Sequence, residues 1–263
     1  MQGFVRSAWR LGAVLTKRPT EFLDRVVGLI DRLTDRREQP MTVPVASDAI
    51  WPLISAAVGT DVIPLLREPA LAATDTLLAE QIAHIPADGP FGVGNSAEKL
   101  LGHIAYVLCR GLRPDTVVET GVAYGSLTTY LLTALEANKR GVLHSIDLPS
   151  IMDRNARSVG RFVPQELRAR WTLHLGASRR VLPKVLKEIG PLGLFVHDSL
   201  HTKRNMAWEF ATATPHLAPP AAVLSDDVES NHAFENWARK TAARWASVRQ
   251  VERPGCLGVA FLS

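Results

Sequence analysis

From residue 116 onward, short runs of β-branched and aliphatic residues alternate with segments whose apolar positions recur every three to four residues. The first pattern is that of buried strands and the second that of helices with one packed face. Strands are predicted at 116–119, 142–146, 171–175, 192–196 and 221–224, with helices at 127–137, 179–189, 206–216 and 233–243. Strands that alternate with helices imply a parallel sheet covered on both faces. Runs at 248–251 and 257–262, on either side of Pro254-Gly255, read as a closing hairpin. The expected fold is therefore α/β: a doubly wound, mostly parallel seven-stranded sheet, with one antiparallel strand at its edge and a helical extension at its N-terminus.

That extension has its own pattern. Phe4, Ala8, Leu11 and Leu15 fall at helical spacing, as do Phe22, Val26, Leu29 and Leu33, with Pro19 between the two sets. Two amphipathic helices are predicted. Between 40 and 115, five prolines (Pro40, Pro44, Pro52, Pro64 and Pro69) are followed by helices at 71–85 and 97–111. The loop from Asp88 is rich in glycine, but no strand precedes it, so it is not a phosphate cradle. The chain divides into a basic helical extension (1–39), a helical cover on the substrate side (40–115) and the α/β domain (116–263).

Composition narrows the function classes. With 263 residues and 46% hydrophobic content, the chain can bury a large core. No apolar run approaches the roughly 20 residues of a membrane-spanning helix, and no secretory leader is visible, so the cytoplasm is the expected compartment. Cys109 and Cys256 are the only cysteines and read as reduced, buried thiols. The net charge of +4 resides entirely in residues 1–37, which hold eight Lys/Arg and four acids. The rest is balanced, which argues against a nucleic-acid enzyme. A small-molecule acceptor is the expected partner. The basic helices leave peripheral membrane contact open, although acids punctuate the second of them and favour simple packing on the domain. Homo-oligomerisation is also left open.

In an open parallel sheet, ligands bind at the carboxyl ends of the strands. Glu119, Asp147, Asp198, Asp226 and Asp227 all end predicted strands. Carboxylates gathered at one rim repel each other unless a cation, a ligand hydroxyl or backbone donors lie between them. Each acid alone also suits a cap or a turn.

The first strand runs into Glu119-Thr120-Gly121-Val122-Ala123-Tyr124-Gly125-Ser126. This resembles motif I of the class I S-adenosylmethionine-dependent methyltransferases, and it lacks the third glycine of a dinucleotide loop. The resemblance implies that these residues other than Val122 border the cofactor. It further implies that Asp147 meets its ribose and that Gly176-Ala177-Ser178 borders its adenine, with Leu148 and His197 also among the cofactor-binding residues. His197-Asp198-Ser199-Leu200-His201 and Ser225-Asp226-Asp227 resemble the divalent-metal O-methyltransferases, of catechol and macrocin type. That likeness implies Mg²⁺ on Asp198, Asp226 and Asp227, since hard oxygen ligands suit it. His201, whose ordinary pKa is near neutral, is the candidate general base, with Asp198 beside it. The resemblance spans about 95–263. It departs at Ala218-Pro219-Pro220-Ala221 and at Lys203-Arg204. A metal-independent methyltransferase of the same fold and a non-catalytic protein that keeps the fold remain the alternatives.

Overall fold

The structure, a computed structural model, describes residues 19–86, 89–92, 98–151, 153 and 156–263. The first predicted helix and part of the glycine-rich loop lie outside these residues. Seven strands form one sheet: β1 (Thr116–Thr120), β2 (Val142–Asp147), β3 (Trp171–Leu175), β4 (Leu192–His197), β5 (Leu217–Ser225), β6 (Arg244–Arg249) and β7 (Cys256–Leu262), in the order β3-β2-β1-β4-β5-β7-β6. β1 to β5 run parallel, and β7 pairs antiparallel with both β5 and β6. The hairpin thus exists, but its second strand inserts beside β5. The antiparallel strand lies one in from the edge, and β6 forms the edge. β6 also begins at Arg244, four residues before the apolar run that marked it.

β1 is buried along its whole length, as a central strand with helices on both faces must be. Around the sheet pack α1 (Pro19–Thr34), α2 (Ile50–Val58), α3 (Pro69–Ala83), α4 (Lys99–Leu112), α5 (Ser126–Asn138), α6 (Ser178–Glu188), α7 (Lys203–Ala213) and α8 (Ala233–Thr241). Two apolar clusters result. One joins α2 to α5 with the sheet through residues such as Ile54, Ile104, Leu131 and Val196. The other joins α6 to α8 through Leu182, Phe195, Phe210 and Phe234. α2 was not expected. Pro52 lies in its first turn, where proline costs no hydrogen bond. α3 and α4 are tied by Arg110, which donates to Glu68 at 2.5 and 2.8 Å. Both cysteines are free and buried.

The segment after α1 straps across the carboxyl end of the sheet. Glu38 receives Lys203 Nζ at 2.6 Å and the His232 amide at 2.9 Å. Glu235 receives the amides of Met41 and Thr42, each at 3.0 Å. Val45 then exchanges two backbone bonds with β6, at 2.8 and 3.0 Å, which covers part of that edge. Among the described residues, no helix is long and apolar enough to cross a membrane.

Candidate functional site

The loop that leaves β1 must turn sharply, and its backbone alternates into the left-handed region at Gly121 (φ 88°), Ala123 (φ 48°) and Gly125 (φ 92°). Only glycine fits at 121, because an added Cβ would overlap the carbonyl of Asp198. This close approach brings the ends of β1 and β4 together. It also turns the Val122 and Ala123 amides toward Asp147 Oδ2, at 2.7 and 3.0 Å. Asp147 ends β2 and is buried. Burial raises its pKa, and the two amides offset part of that rise.

Glu119 is fully buried, and its Oε2 accepts from Ser145 at 2.6 Å and Thr128 at 2.8 Å. Burial pushes its carboxyl up to about 8, against those two hydrogen bonds, and Asp198 and Asp147 add to the rise. Its Oε1 has no partner among the described residues, and neither do Ser126 Oγ and His197 Nε2. Buried polar atoms rarely stay unsatisfied, so three orphans at one sheet rim point to a polar ligand. Next to them, at the ends of β2 and β3, lies a crevice of about 380 Å³, lined by Leu148, Pro149, Ala156, Leu175, Gly176, Arg180 and Glu21. That is within the roughly 300–1,000 Å³ of small-molecule sites. Ala177 immediately precedes α6, and Ser178 opens it.

Tyr124 is different. Its ring is fully buried, stacks on Phe162 at 5.1 Å and meets Phe91 edge-on at 5.2 Å. The side chain serves packing. Thr120 likewise donates inward, to Glu209 at 2.6 Å.

Glu209 was not singled out by the sequence, because it lies mid-helix in α7. It is fully buried and gathers Thr120, His197 Nδ1 (2.7 Å), Ser199 (2.8 Å) and Asn205 (3.1 Å). Burial opposes its charge, but the His197 ring and hydrogen bonds from Ser178 and Thr120 outweigh that and hold the carboxyl down at about 2. Glu209 is thus the anchor that fixes the end of β4.

Past β4 and β5 lies the second cluster. Asp198, His201 and Asp226 each offer an atom within 4.8 Å of the others'. His201 Nδ1 is 3.1 Å from Asp227 Oδ2, and Nε2 is 3.5 Å from Asp198 Oδ1. Asp227, itself at φ 50°, therefore meets the opposite ring nitrogen from Asp198 and stands outside that triad. Arg253 and Gln250, from the β6–β7 turn, also enter the site. Gln250 donates to Asp226 Oδ1 at 2.6 Å, and Arg253 to Oδ2 at 2.5 Å. Arg253 also approaches Asp227 at 4.0 Å. Burial pushes Asp226 up to about 7, with the Asp198 and Asp227 charges adding to it. His201 is driven the other way from what burial alone would do: Asp198 and Asp227 hold it up at about 10. The facing carboxylates thus favour the charged form of His201, which opposes proton uptake. The general-base role expected from its ordinary pKa therefore requires that this negative charge be neutralised first.

The sequence placed every expected cofactor-bordering residue after Asp115, whereas in the structure α1 also reaches the crevice. Glu21 lines the crevice, and Arg25 bonds the Pro149 carbonyl at 2.6 Å. Nothing in the spacing of α1 pointed to this.

The strand order, the glycine turn after β1 and the acid ending β2 are those of a class I methyltransferase fold. Comparison with known proteins agrees. Residues 118–228 match the family described as "Methyltransferase domain". No curated protein matches the chain. Among solved structures, the chain is similar to an O-methyltransferase from Bacillus cereus in complex with S-adenosylhomocysteine (16% identity, TM-score 0.55, 82% of this chain and 97% of that one). It is also similar to the O-methyltransferase TomG from Streptomyces achromogenes, involved in tomaymycin synthesis and in complex with S-adenosylmethionine (17%, 0.53, 74% and 90%). A third is the S-adenosylhomocysteine-bound methyltransferase PaMTH1 of Podospora anserina (13%, 0.52, 85% and 100%). At these identities the likeness establishes the fold. Residues 118–228 carry a methyltransferase domain, on a sheet with the class I strand order.

Proposed function

We propose that the protein transfers a methyl group from S-adenosylmethionine to a hydroxyl of a small molecule, with a divalent cation at Asp198, Asp226 and Asp227 or His201. The observation that carries this reading is the cluster of Asp198, His201 and Asp226 at the same sheet rim as the orphaned atoms of Glu119, Ser126 and His197. The O-methyltransferase names of the similar structures point the same way. Methyl transfer is an in-line displacement, so the protein's main task is alignment. In this reading Glu119 Oε1 would accept from the cofactor's ammonium, and Asp147 from its ribose hydroxyls. Gly176 would border the adenine side, and Leu148 lines the same crevice. His197 and Ser126 supply further polar contacts. The carboxylates fit Mg²⁺, while the imidazole of His201 would tilt the set toward softer divalent ions. A cation bound there supplies the charge that lowers the pKa of an acceptor hydroxyl. If the cation were held by the carboxylates alone, His201 would be freed to take up the hydroxyl proton; as a ligand itself it would not.

A second reading has its own observation. Arg253 already lies against Asp226 and near Asp227. In a metal-independent enzyme, its guanidinium would supply the positive charge instead. Methyl transfer from labelled S-adenosylmethionine to a panel of catechols and sugars separates the two. The divalent-cation reading predicts that EDTA and Asp226→Asn each lower kcat by about 100-fold or more, with Mg²⁺ or Mn²⁺ restoring the EDTA-treated protein. Activity untouched by EDTA but lost in Arg253→Ala would establish the metal-independent reading.

A further inference from the structure

Helix α1 has its polarity reversed for a helix that packs on a domain. Its single buried residue is Asp31, 1% exposed, whereas Leu33 is 76% and Leu23 61% exposed, and Val27, Leu29 and Ile30 are exposed as well. The cause is the surface beneath it, which is cationic. Asp24 accepts from Arg180 at 2.8 Å, and Asp31 from Arg179 at 2.7 Å, with Arg204 at 3.4 Å. Asp35 accepts from the Lys203 amide at 3.0 Å. Glu21 is partly buried and pairs with Arg25 at 2.7 Å. The acids that punctuate this helix are thus turned toward the protein.

What remains outside is one-signed. Arg32, Arg36 and Arg37 are exposed beside the five apolar side chains, and no acid between 19 and 37 is exposed. The preceding sequence, residues 1–18, adds Arg6, Arg10, Lys17 and Arg18, with Phe4, Trp9, Leu11 and Leu15 and no acid. An apolar stripe of this size on a folded chain marks an interaction surface. Its cations choose the partner. A second copy of the same face would set like charges against each other, whereas a bilayer with anionic headgroups neutralises them and takes up the leucines.

We propose that the outer face of α1, with the basic sequence before it, docks the enzyme on an anionic lipid surface. The inner face of the same helix contributes Glu21 to the crevice, so docking sets the crevice close to the bilayer. The inference does not depend on the acceptor or on the metal. It would bring the enzyme to acceptors that partition into or onto lipid.

The test is cosedimentation of the full chain with vesicles of phosphatidylcholine containing phosphatidylglycerol, and with vesicles of phosphatidylcholine alone. Binding is expected on the first and not on the second. It should fall by roughly tenfold or more in Leu23→Asp/Leu33→Asp, in Arg32→Glu/Arg36→Glu and at high salt. All four side chains are exposed, so the variants should keep the wild-type circular dichroism and unfolding midpoint. Absence of binding to the anionic vesicles would overturn the proposal. So would binding that neither variant weakens, or a wild-type dimer that Leu23→Asp/Leu33→Asp splits without any vesicle binding.

Discussion

Gly121→Ala is expected to lose about 4 kcal/mol of stability and all measurable cofactor binding. Two costs add up. A left-handed backbone strains any residue with a Cβ by about 1 kcal/mol or more. The new methyl would also overlap the Asp198 carbonyl, which belongs to the backbone and cannot rotate aside. Relief requires the ends of β1 and β4 to part, which pulls the Val122 and Ala123 amides off Asp147. In a chain of this size the loss corresponds to a fall of roughly 10 °C in the unfolding midpoint. Gly190→Ala is the control, since a Cβ there meets nothing within 4 Å and the φ is ordinary. Thermal unfolding of both variants checks the expectation. Equal midpoints would mean that the turn is not the constraint described.

Glu119→Gln should stabilise the protein, and the gain should depend on pH. The carboxyl titrates near 8 in the folded chain, chiefly because it is buried, and near its ordinary 4.5 when unfolded. Between those values the folded state holds a proton that the unfolded state has released. Stability therefore falls as pH rises from 4.5 to 8, and the loss is complete above 8. For a fully buried group it is on the order of several kcal/mol. Glutamine keeps the shape and an acceptor oxygen for Ser145 and Thr128 without the charge. The variant should unfold several degrees above the wild type at about pH 8.5 and close to it at about pH 5. Parallel curves across that range would contradict the account. On the proposed reading the same substitution should also weaken cofactor binding, because it removes the carboxyl that would ionise to pair with the cofactor's ammonium. Functional sites commonly carry such a conflict between stability and activity.

These two positions were legible in the sequence because each has a local signature: a β-branched strand ending in an acid, then a glycine. The other acids also end predicted strands, though no glycine follows them, and the structure brings Asp147, Asp198, Asp226 and Asp227 to one rim. What the sequence hid depends on partners far along the chain. Glu209 sits in a helix where an acid ordinarily faces water, and only the packing of α7 on β4 shows it buried under His197. Arg253 and Gln250 lie in a turn with no motif, and reach Asp226 because β7 inserts beside β5. The spacing of Phe22, Val26, Leu29 and Leu33 gave α1 its helix. It could not tell that the surface beneath is cationic, so that the acidic side turns inward. β6 begins earlier than the sequence pattern suggests because Arg244-Trp245-Ala246-Ser247 mixes charged, aromatic, small and polar side chains and carries no β-branched residue.

The central claim is that the crevice at the ends of β2 and β3 holds S-adenosylmethionine, and titration calorimetry with S-adenosylhomocysteine tests it most directly. The account predicts saturable binding at one site per chain, weakened by about tenfold or more in Asp147→Ala through the lost ribose contact, and no heat with NAD. Binding of NAD in place of S-adenosylhomocysteine, or an affinity for S-adenosylhomocysteine that Asp147→Ala leaves unchanged, would contradict it.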